Sequence, residues 1–422
     1  FLNIVGIEQA WDFVKKLGIT SLNEEDNHAR TGVIGGLKYG VSVEELTNAY
    51  SAIPNRGIFN DAYMIQEIRD SHGNVIYRHE ADPVKVFSEQ TAYIMTDMLR
   101  TVITSGTATD LLHKFKHYKQ IAVAGKTGST QNDADAWFVG FTPDITVGVW
   151  AGYDLQIHSL SVRTGGTARA KNIWAMIMDQ SIEKRPELFP NKQFEIPEGI
   201  VRMTVSSATG KLPNELAIQN NLLVTDIFNK KDIPTEVDDA VVQTKVVTYN
   251  GIHYLPHPNT PPDMVRESVG IKRAKPLSAL LKELEGVQSR LNGDIQRYLP
   301  LDRGTEAPVE VDPRQDDGKV PAPPSNVSVT QNGGNVEISF SKSGAPDIIG
   351  YRIYKATANS SFQKFRVVLN GQETKIMDSF QEPAYYYVTA VDVVGKESSP
   401  SVIVGTDGRQ YTRENLPPLP DK

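Results

Sequence analysis

The chain has 422 residues, 39% of them hydrophobic and 23% charged, and it carries a formal net charge of -7. This composition is typical of globular protein, and the length predicts two to four domains. Cysteine is absent, which excludes a disulfide framework, a thiolate metal site and a cysteine nucleophile. The mildly acidic balance, with no cluster of Lys and Arg, argues against nucleic acid as a partner.

The sequence has no pattern that would target it to a membrane. No run approaches the about 18 consecutive apolar residues that a membrane helix requires. No charged-then-apolar leader is found at the start, and the first residue is Phe1 rather than methionine. We therefore expect the chain to be a piece of a longer protein, with any targeting segment or anchor outside it.

Residues 1–185 mix helical and strand patterns, which predicts an α+β domain. The predicted elements, in chain order, are a helix over 7–17 that ends at Gly18, a helix that begins at the capping box Ser42-Val43-Glu44-Glu45 and ends at Pro54, a hairpin of 65–70 and 75–77, and an amphipathic helix over 88–104. We expect the last helix to bury a face formed by Ala92, Met95, Leu99 and Val102.

The most informative motif follows these elements, at residues 124–130, with the sequence Ala-Gly-Lys-Thr-Gly-Ser-Thr. It has the form of the Lys-Thr-Gly strand of the penicillin-recognising serine acyl-transfer enzymes. Gly128 is small enough for a substrate backbone to lie against the strand. Lys126 and the hydroxyls of Thr127 and Ser129 would present cationic and neutral donors to a carboxylate.

A phosphate-binding loop is the rival interpretation of the same residues, because Gly125, Lys126 and Thr127 resemble the end of its pattern. That pattern requires glycine at position 120, where this chain has Gln120. A phosphate loop must also open a helix, whereas 137–141 and 145–150 have the pattern of strands. We therefore reject the nucleotide interpretation.

The remainder of the chain predicts four further segments. Residues 186–299 form an extension with short strands and a helix whose Leu277, Leu280, Leu281, Leu284 and Leu291 share a face. Residues 300–320 are rich in proline and acidic residues and are expected to be an extended linker that buries no core. Residues 321–405 alternate short strands with turns, which predicts a β-sandwich, and 406–422 form a tail. This sandwich resembles a fibronectin type III module.

Together with the Lys-Thr-Gly motif, further sequence stretches make residues 1–185 resemble the C-terminal part of a class A penicillin-binding protein. They are Val14-Lys15-Lys16-Leu17-Gly18-Ile19, Gly35-Gly36-Leu37-Lys38-Tyr39-Gly40-Val41-Ser42, Ala49-Tyr50, Asn55-Arg56-Gly57, Gly106-Thr107-Ala108, Trp150-Ala151-Gly152-Tyr153-Asp154, Thr164-Gly165-Gly166-Thr167-Ala168 and Ile173-Trp174. The match covers about residues 1–185. It implies a partial penicillin-binding transpeptidase, β-lactamase-like α+β fold, followed by a separate all-β, immunoglobulin-like sandwich.

The resemblance also implies the chemistry, which is serine acyl transfer on peptidoglycan stem peptides that end in D-Ala-D-Ala. Lys126 and Ser129 would be catalytic, and Lys126, Thr127, Gly128, Ser129 and Thr130 would bind substrate. Thr127 and Ser129 would hold the terminal carboxylate, and the Ser129 amide would be an oxyanion donor. β-Lactams would occupy the same site. No cofactor is implied.

The family uses three motifs in the order Ser-x-x-Lys, Ser-x-Asn and Lys-Thr-Gly, and only the last is identified here. Ser181 and Ser361 each begin a Ser-x-x-Lys string, but the first follows the Lys-Thr-Gly motif and the second lies in the predicted sandwich. We reject both as nucleophiles. The nucleophile and the glycosyltransferase domain are thus expected outside the chain, and the chain alone should be inactive.

A metal site is also not predicted. His113 and His117 are four residues apart, as zinc ligands on a helix can be, but Lys114 replaces the glutamate of that motif and no third ligand is evident. Trp137 and Phe138 are expected to be core residues of the neighbouring strand. Asp135 is expected at most to orient a loop.

Our hypothesis is a peptidoglycan transpeptidase segment of a bifunctional, membrane-anchored cell-wall synthase. It would act at the extracellular face of the bacterial cytoplasmic membrane, with other cell-wall synthesis proteins as possible partners. The alternative is a non-catalytic cell-wall binding or spacer segment that acts through the fibronectin-like module. A stand-alone β-lactamase relative is disfavoured, because those enzymes rarely carry a long extension and a linked sandwich.

Overall fold

The computed structural model describes residues 2–28, 32, 35–130, 133–153, 155, 157–160, 166–276, 279, 280, 282, 283 and 306–416. The chain divides into two compact units. Unit 1 comprises Phe1–Met203 and Asp226–Ile233, and unit 2 comprises Thr204–Thr225 and Pro234–Lys422.

Unit 1 is α+β, as predicted. Its helices are α1 (Leu2–Val5), α2 (Ile7–Lys16), α3 (Val43–Ser51), α4 (Glu89–Thr104), α5 (Leu111–Lys114) and α6 (Arg169–Lys184). Its strands are β1 (Ile58–Phe59), β2 (Glu67–Arg69), β3 (Val75–Arg78), β4 (Val84–Lys85), β5 (Ala124–Ser129), β6 (Asp135–Phe141) and β7 (Thr146–Gly152). β1 pairs with β4 and β2 with β3, and β5, β6 and β7 form an antiparallel sheet in that order.

Helix α3 begins at the predicted capping box. The Ser42 side chain accepts a hydrogen bond from the Glu45 amide, and the Glu45 carboxylate accepts one from the Ser42 amide. The same carboxylate accepts hydrogen bonds from the backbone amides and hydroxyls of Thr20 and Ser21. Burial alone would raise the pKa of Glu45, but these hydrogen bonds, above all that of the Ser21 hydroxyl, lower the pKa to about 2. Glu45 thus fixes the loop after α2 to the start of α3.

The core of unit 1 lies between the β5–β7 sheet and α6. Trp174 of α6 is fully buried, and its ring meets those of Phe115 and Phe138 edge-on at centroid distances of 5.5 and 5.3 Å. The Trp174 indole N–H donates to the carbonyl of Gly140 at 3.1 Å, so its polar atom is satisfied. Because removing a buried tryptophan side chain typically costs about 3–5 kcal/mol, this residue is a principal contact between α6 and β6.

Helix α4 has the predicted extent but buries a slightly different face. Ala92, Thr96, Leu99 and Ile103 are its buried residues, whereas Met95 is 40% exposed. The expectation for Met95 is therefore wrong. Thr96 can be buried because its hydroxyl donates to the Ala92 carbonyl at 2.9 Å, one turn earlier in the same helix.

Two paired strands, β8 (Ile200–Ser206) and β9 (Leu223–Asn229), contain two of the three boundaries between the units, and the third follows Ile233. Unit 2 then contains α7 (Glu215–Gln219) and the strands β10 (Val241–Tyr249), β11 (Ile252–Tyr254) and β12 (Arg266–Ile271), which form an antiparallel sheet with β10 in the middle. Most of the predicted leucine helix of residues 277–291 lies outside the described residues.

The predicted β-sandwich is present in unit 2. Its strands are β13 (Ser325–Asn332), β14 (Asn335–Ser341), β15 (Ile348–Thr357), β16 (Ser360–Leu369), β17 (Lys375–Ser379), β18 (Ala384–Asp392), β19 (Ile403–Gly405) and β20 (Gln410–Tyr411). One sheet has the order β13-β14-β17 and the other β16-β15-β18-β19-β20. Buried residues of both sheets form one core, in which Phe340 and Tyr351 lie 5.0 Å apart. The fibronectin type III assignment stays a prediction.

The proline-rich segment before the sandwich is extended but not solvated along its length. Residues 306–312 run beside β11 and β12 in parallel bridges, Leu255 with Val311 and Ile271 with Glu306. Asp312 and Arg314 form an ion pair whose side chains are only 1% and 2% exposed. The segment was expected to be an extended linker that buries no core; it is extended, but Ala307, Asp312 and Arg314 are buried.

Arg314 explains why a charged residue can be buried here. Its guanidinium donates to Asp312 at 2.9 Å and to the Ile348 carbonyl at 2.6 Å, and it lies 4.9 Å from the centre of the Tyr249 ring. Its own carbonyl accepts a hydrogen bond from His257 Nε2 at 2.9 Å. These contacts attach the segment both to the β10–β12 sheet and to the sandwich, because Tyr249 ends β10 and Ile348 begins β15.

None of the helices within the described residues is both long enough and apolar enough to cross a bilayer.

Candidate active site

The Lys-Thr-Gly residues lie on β5, which is an edge of the sheet that it forms with β6 and β7. In the antiparallel register Lys126 stands opposite Val139, Thr127 opposite Phe138, and Gly128 opposite Trp137. The chain continues from β5 into β6 rather than into a helix, which agrees with the rejection of a phosphate loop. Lys126, Gly128 and Ser129 are exposed, and Thr127 and Thr130 are half-buried.

The pleat of β5 sorts these residues onto two faces. Thr127 and Ser129 share one face, and Lys126 and Gly128 share the other, because side chains alternate along a strand. The Thr130 amide donates toward β6, to the Asp135 carbonyl at 3.4 Å. Since successive amides of a strand point in opposite directions, the Ser129 amide and the Thr127 carbonyl point to the other edge of β5. That edge can pair with an added extended chain.

The Lys126 ammonium lies at this edge. It donates to the Thr127 carbonyl at 2.9 Å, and no carboxylate of the described residues is within ion-pair distance of it. A lysine held in this way retains two N–H donors and its full charge for an incoming anion.

The Thr127 hydroxyl is oriented by a residue distant in sequence. Its Oγ1 lies 2.5 Å from Oγ1 of Thr107, in the turn after α4. The Thr107 carbonyl in turn accepts a hydrogen bond from Lys171 Nζ at 2.9 Å. When Thr107 donates to Thr127, the hydroxyl hydrogen of Thr127 is left free to point away toward a ligand.

Lys171 is itself fixed by Asp110, whose carboxylate lies 2.7 Å from its ammonium. Lys114 contacts the other oxygen of Asp110 at 3.0 Å. Burial opposes ionisation of Asp110, but the two lysines outweigh it and lower the pKa of this carboxyl below its usual range. The ion pairs between α5 and α6 therefore support the turn that holds Thr127.

Asp135, at the start of β6, fixes the end of β5. It accepts a hydrogen bond from the Thr130 hydroxyl at 2.9 Å and one from the Trp150 indole N–H at 2.8 Å. The Asp135 amide also donates to the Thr130 hydroxyl at 3.0 Å. The Thr130 hydroxyl thus uses its one hydrogen on Asp135, and donating to a substrate would require it to give up that bond.

The two glycines of β5 have different surroundings. A Cβ on Gly125 would lie 2.7 Å from the Val139 carbonyl oxygen and 2.8 Å from the Phe138 ring. A Cβ on Gly128 would meet only Trp137, at 3.1 Å from its Cβ. Phe138 is fully buried, as predicted for a core residue, whereas Trp137 is only half-buried beside Gly128. Gly125 is required for packing, and Gly128 leaves an open surface.

Comparison with known proteins shows which families the sequence of this chain is similar to. The sequence model described as "Penicillin binding protein transpeptidase domain" matches residues 4–179. This match covers 176 of the 422 residues of the chain. The model described as "Penicillin-binding protein 1A, C-terminal domain" matches residues 196–243. The predicted resemblance to the C-terminal part of a class A penicillin-binding protein is confirmed.

Curated relatives carry the same description. The chain is 31% identical over 274 residues to penicillin-binding protein 1A of Clostridium novyi, which covers 64% of this chain and 30% of the relative. It is 36% identical over 172 residues to penicillin-binding protein 1F of Bacillus subtilis, covering 39% of this chain and 23% of the relative. The chain thus spans less than a third of the length of these relatives.

A solved structure with a related description is the crystal structure of penicillin-binding protein 1A from Haemophilus influenzae. It is 19% identical, has a TM-score of 0.45 and covers 56% of this chain and 38% of that chain.

Sequence reasoning about the transpeptidase residues missed the contacts that hold the motif in place. The string Gly106-Thr107-Ala108 is part of the family resemblance, but nothing in it indicates contact with Thr127. Asp110 and Lys171 carry no local signal of any kind. Ser181 lies in α6 and Ser361 in β16, so both rejected strings occupy ordinary secondary structure.

The two histidines considered as zinc ligands lie on different elements. His113 is exposed on α5, and His117 lies beyond the end of that helix. His117 Nδ1 instead lies 2.9 Å from Asp179 of α6, a contact that joins two elements of the core.

One cavity of the transpeptidase part lies apart from the motif. It is lined by Ile53, Pro54, Arg56, Glu89, Ala92, Tyr93, Thr96, Pro143, Asn191, Gln193, Phe194, Glu195 and Pro197. None of these residues is on β5. An edge strand offers one wall of a groove.

Proposed function

We propose that this chain supplies the carboxylate-binding wall of a peptidoglycan D,D-transpeptidase site, and that the acylatable serine lies on a segment outside it. The observation that carries the proposal is the edge of β5 that pairs with no other strand of the described residues. It presents the Lys126 ammonium, the Thr127 and Ser129 side chains on one face, and the outward-pointing Ser129 amide within four consecutive residues.

These groups suit a stem peptide that ends in D-Ala-D-Ala. An extended peptide can pair with the edge of β5, and Gly128 leaves room for its backbone. Lys126, Thr127 and Ser129 would bind the terminal carboxylate, each charge-assisted hydrogen bond contributing about 1.5–3 kcal/mol. Thr130 would act on the strand through Asp135 rather than on the substrate.

The reaction is acyl transfer in two steps. A serine hydroxyl attacks the carbonyl between the two D-alanines, and the terminal D-alanine leaves as the protonated amine. An amine of a neighbouring stem then displaces the serine and completes the cross-link. The Ser129 amide would stabilise the oxyanion in both steps, where loss of one donor typically costs about 100- to 1000-fold in rate. β-Lactams would acylate the same serine.

The setting follows from the reaction. Cross-linking of stem peptides occurs outside the bacterial cytoplasm, so we place the domain at the outer face of the cytoplasmic membrane, in a longer bifunctional protein. Other cell-wall synthesis proteins are proposed partners.

Fluorescent penicillin tests the proposal. In the longer protein, Lys126→Ala should slow acylation by about 10- to 100-fold, which corresponds to the loss of about 1.5–3 kcal/mol. Lys119→Ala, at an exposed lysine of the same unit, should leave the rate unchanged. An unchanged rate in Lys126→Ala would remove Lys126 from the site.

The chain of 422 residues by itself provides a second test. It should form no covalent adduct with the probe, because neither Ser181 nor Ser361 lies in a catalytic context. A stoichiometric, heat-stable adduct on any of its serines would show that the nucleophile is inside the chain.

A further inference from the structure

Three aspartates of unit 2 converge from separate parts of the sequence. Asp316 follows the buried Arg314, Asp347 directly precedes β15, and Asp392 is the last residue of β18. One carboxylate oxygen of each lies within 4.8 Å of the others. Asp347 and Asp392 are 2% and 0% exposed, so two of the three charges are removed from water.

Asp392 has a buried oxygen without a partner. Its Oδ1 accepts hydrogen bonds from the amides of Val394 at 3.0 Å and Lys396 at 2.8 Å. Its Oδ2 is buried and accepts none from the described residues. Leaving a carboxylate oxygen buried and unsatisfied costs free energy, so an atom of this kind requires either a proton or a cation.

The positive charge beside the cluster is too small to balance three carboxylates, and it lies next to the exposed Asp316 rather than next to the two buried aspartates. Lys396 Nζ contacts both carboxylate oxygens of Asp316, at 2.7 and 2.8 Å. Asp316 is the most exposed of the three aspartates. Among the described residues, the Asp347 carboxylate accepts one long hydrogen bond, from the Asp317 amide at 3.3 Å. Three carboxylates thus face one ammonium.

We propose that Asp316, Asp347 and Asp392 form a binding site for a divalent hard cation, Ca²⁺. An all-oxygen donor set of carboxylates is the preference of such ions. Oxygens bound to one Ca²⁺ at about 2.3–2.6 Å lie at most about 4.6–5.2 Å apart, which accommodates the spacing within 4.8 Å. Mg²⁺, with bonds of about 2.0–2.1 Å, would require the oxygens within about 4.2 Å of one another.

The position of the site gives it a structural role. Its ligands come from the segment after Arg314 and from adjacent ends of β15 and β18, where Ile348 pairs with Asp392. A bound ion would therefore join the proline-rich segment to the sandwich, next to the Arg314 contact with the Ile348 carbonyl. Since the ion binds only the folded arrangement, it stabilises unit 2 by an amount that rises with the logarithm of the ion concentration once this exceeds the dissociation constant.

Calorimetric titration of the chelator-treated full chain with Ca²⁺ tests the site. We expect one ion per chain with a dissociation constant of about 10⁻⁴ to 10⁻³ M, the range of weak, partly preformed sites, and a higher unfolding temperature of unit 2 in Ca²⁺. Absence of heat and of any thermal shift up to about 10 mM Ca²⁺ would overturn the proposal, as would Mg²⁺ binding as tightly as Ca²⁺.

Variants assign the ligands. Asp392→Asn and Asp316→Asn should each weaken binding by at least about tenfold, and Asp316→Asn changes a partly exposed side chain, so it keeps the test open if the buried variant fails to fold. Asp407→Asn, at an acidic residue of the same sandwich that contacts Tyr411, should bind Ca²⁺ normally. Lys396→Gln removes the competing ammonium and should tighten binding. Unchanged affinity in Asp316→Asn, or weaker binding in Lys396→Gln, would contradict the assignment.

Discussion

Replacing each of the two glycines of β5 by alanine adds one methyl group. The two substitutions separate what the motif requires for folding from what it requires for function. Neither has a left-handed backbone, so alanine is allowed at both positions by conformation. At Gly125 the new Cβ would lie within 2.9 Å of three heavy atoms, two of them backbone atoms of β6. At Gly128 it would lie 3.1 Å from the Trp137 Cβ and at least 3.8 Å from the other atoms near it.

These contacts set the expected magnitudes. Overpacking of the Gly125 kind costs about 1–3 kcal/mol, while replacing glycine by alanine recovers about 0.4–1 kcal/mol through the unfolded chain. We therefore expect Gly125→Ala to lower the free energy of unfolding of unit 1 by about 0.5–2 kcal/mol. For Gly128→Ala the two effects nearly cancel, and the change should be within about 0.5 kcal/mol.

Tryptophan fluorescence during urea unfolding measures this directly. All four tryptophans, Trp11, Trp137, Trp150 and Trp174, belong to unit 1, so the signal does not report on unit 2. The urea concentration at the unfolding midpoint should be lower for Gly125→Ala and unchanged for Gly128→Ala. In the longer protein, Gly128→Ala should nevertheless slow acylation by penicillin, because its methyl group occupies the surface proposed for the substrate backbone.

One result would refute this reasoning. If Gly128→Ala lowered the midpoint as much as Gly125→Ala, the glycine of the motif would serve the packing of β5 against Trp137, and its value as a marker of the substrate groove would be lost.

Three further predictions follow from contacts outside the motif. Thr107→Val removes the hydroxyl next to Thr127 but keeps its shape, so acylation should slow several-fold, for a loss of about 0.5–1.5 kcal/mol, with an unchanged unfolding midpoint; an unchanged rate would contradict the orienting role. The pKa of Glu45 is lowered to about 2 from its ordinary 4.5, so its ionised form stabilises unit 1 fully above pH 4.5 and loses this effect as the pH falls toward 2. The stability difference between the native chain and Glu45→Gln should shrink over that range, and a constant difference would exclude the linkage. Arg314→Met leaves Asp312 buried without its partner and should destabilise unit 2 by about 3–5 kcal/mol in calorimetry, without moving the tryptophan midpoint; a smaller loss would mean that Asp312 finds another partner.

Local signals in the sequence predicted the elements that depend on local chemistry. The capping box at Ser42 depends on residues three apart, and the start of α3 was predicted correctly from it. The strands after Lys126 follow from their alternation and β-branched and aromatic residues. On α4 the same reasoning gave the right extent but the wrong side chain, because the pattern does not reveal that the Thr96 hydroxyl can be satisfied within its own helix.

Contacts between distant residues could not be predicted in this way. Thr107 and Thr127 are 20 residues apart, and neither type of side chain signals the other. The proline and acidic content of the segment around Arg314 predicted a solvated linker. Average composition does not reveal that the Arg314 guanidinium is satisfied by Asp312 and by the Ile348 carbonyl. The three aspartates of the proposed cation site are separated by 31 residues (316 to 347) and 45 residues (347 to 392), so only folding brings them together.

The buried Arg314 has a mechanical consequence. A free proline-rich tether would let the sandwich swing through a wide cone, and pulling on it would straighten the tether before any folded part felt the load. Here the strand bridges to Leu255 and Ile271, together with the guanidinium, hold residues 306–314 against the folded parts of unit 2. We therefore expect a force applied to the sandwich to reach the β10–β12 sheet early, because residues 306–314 can straighten only after these contacts break.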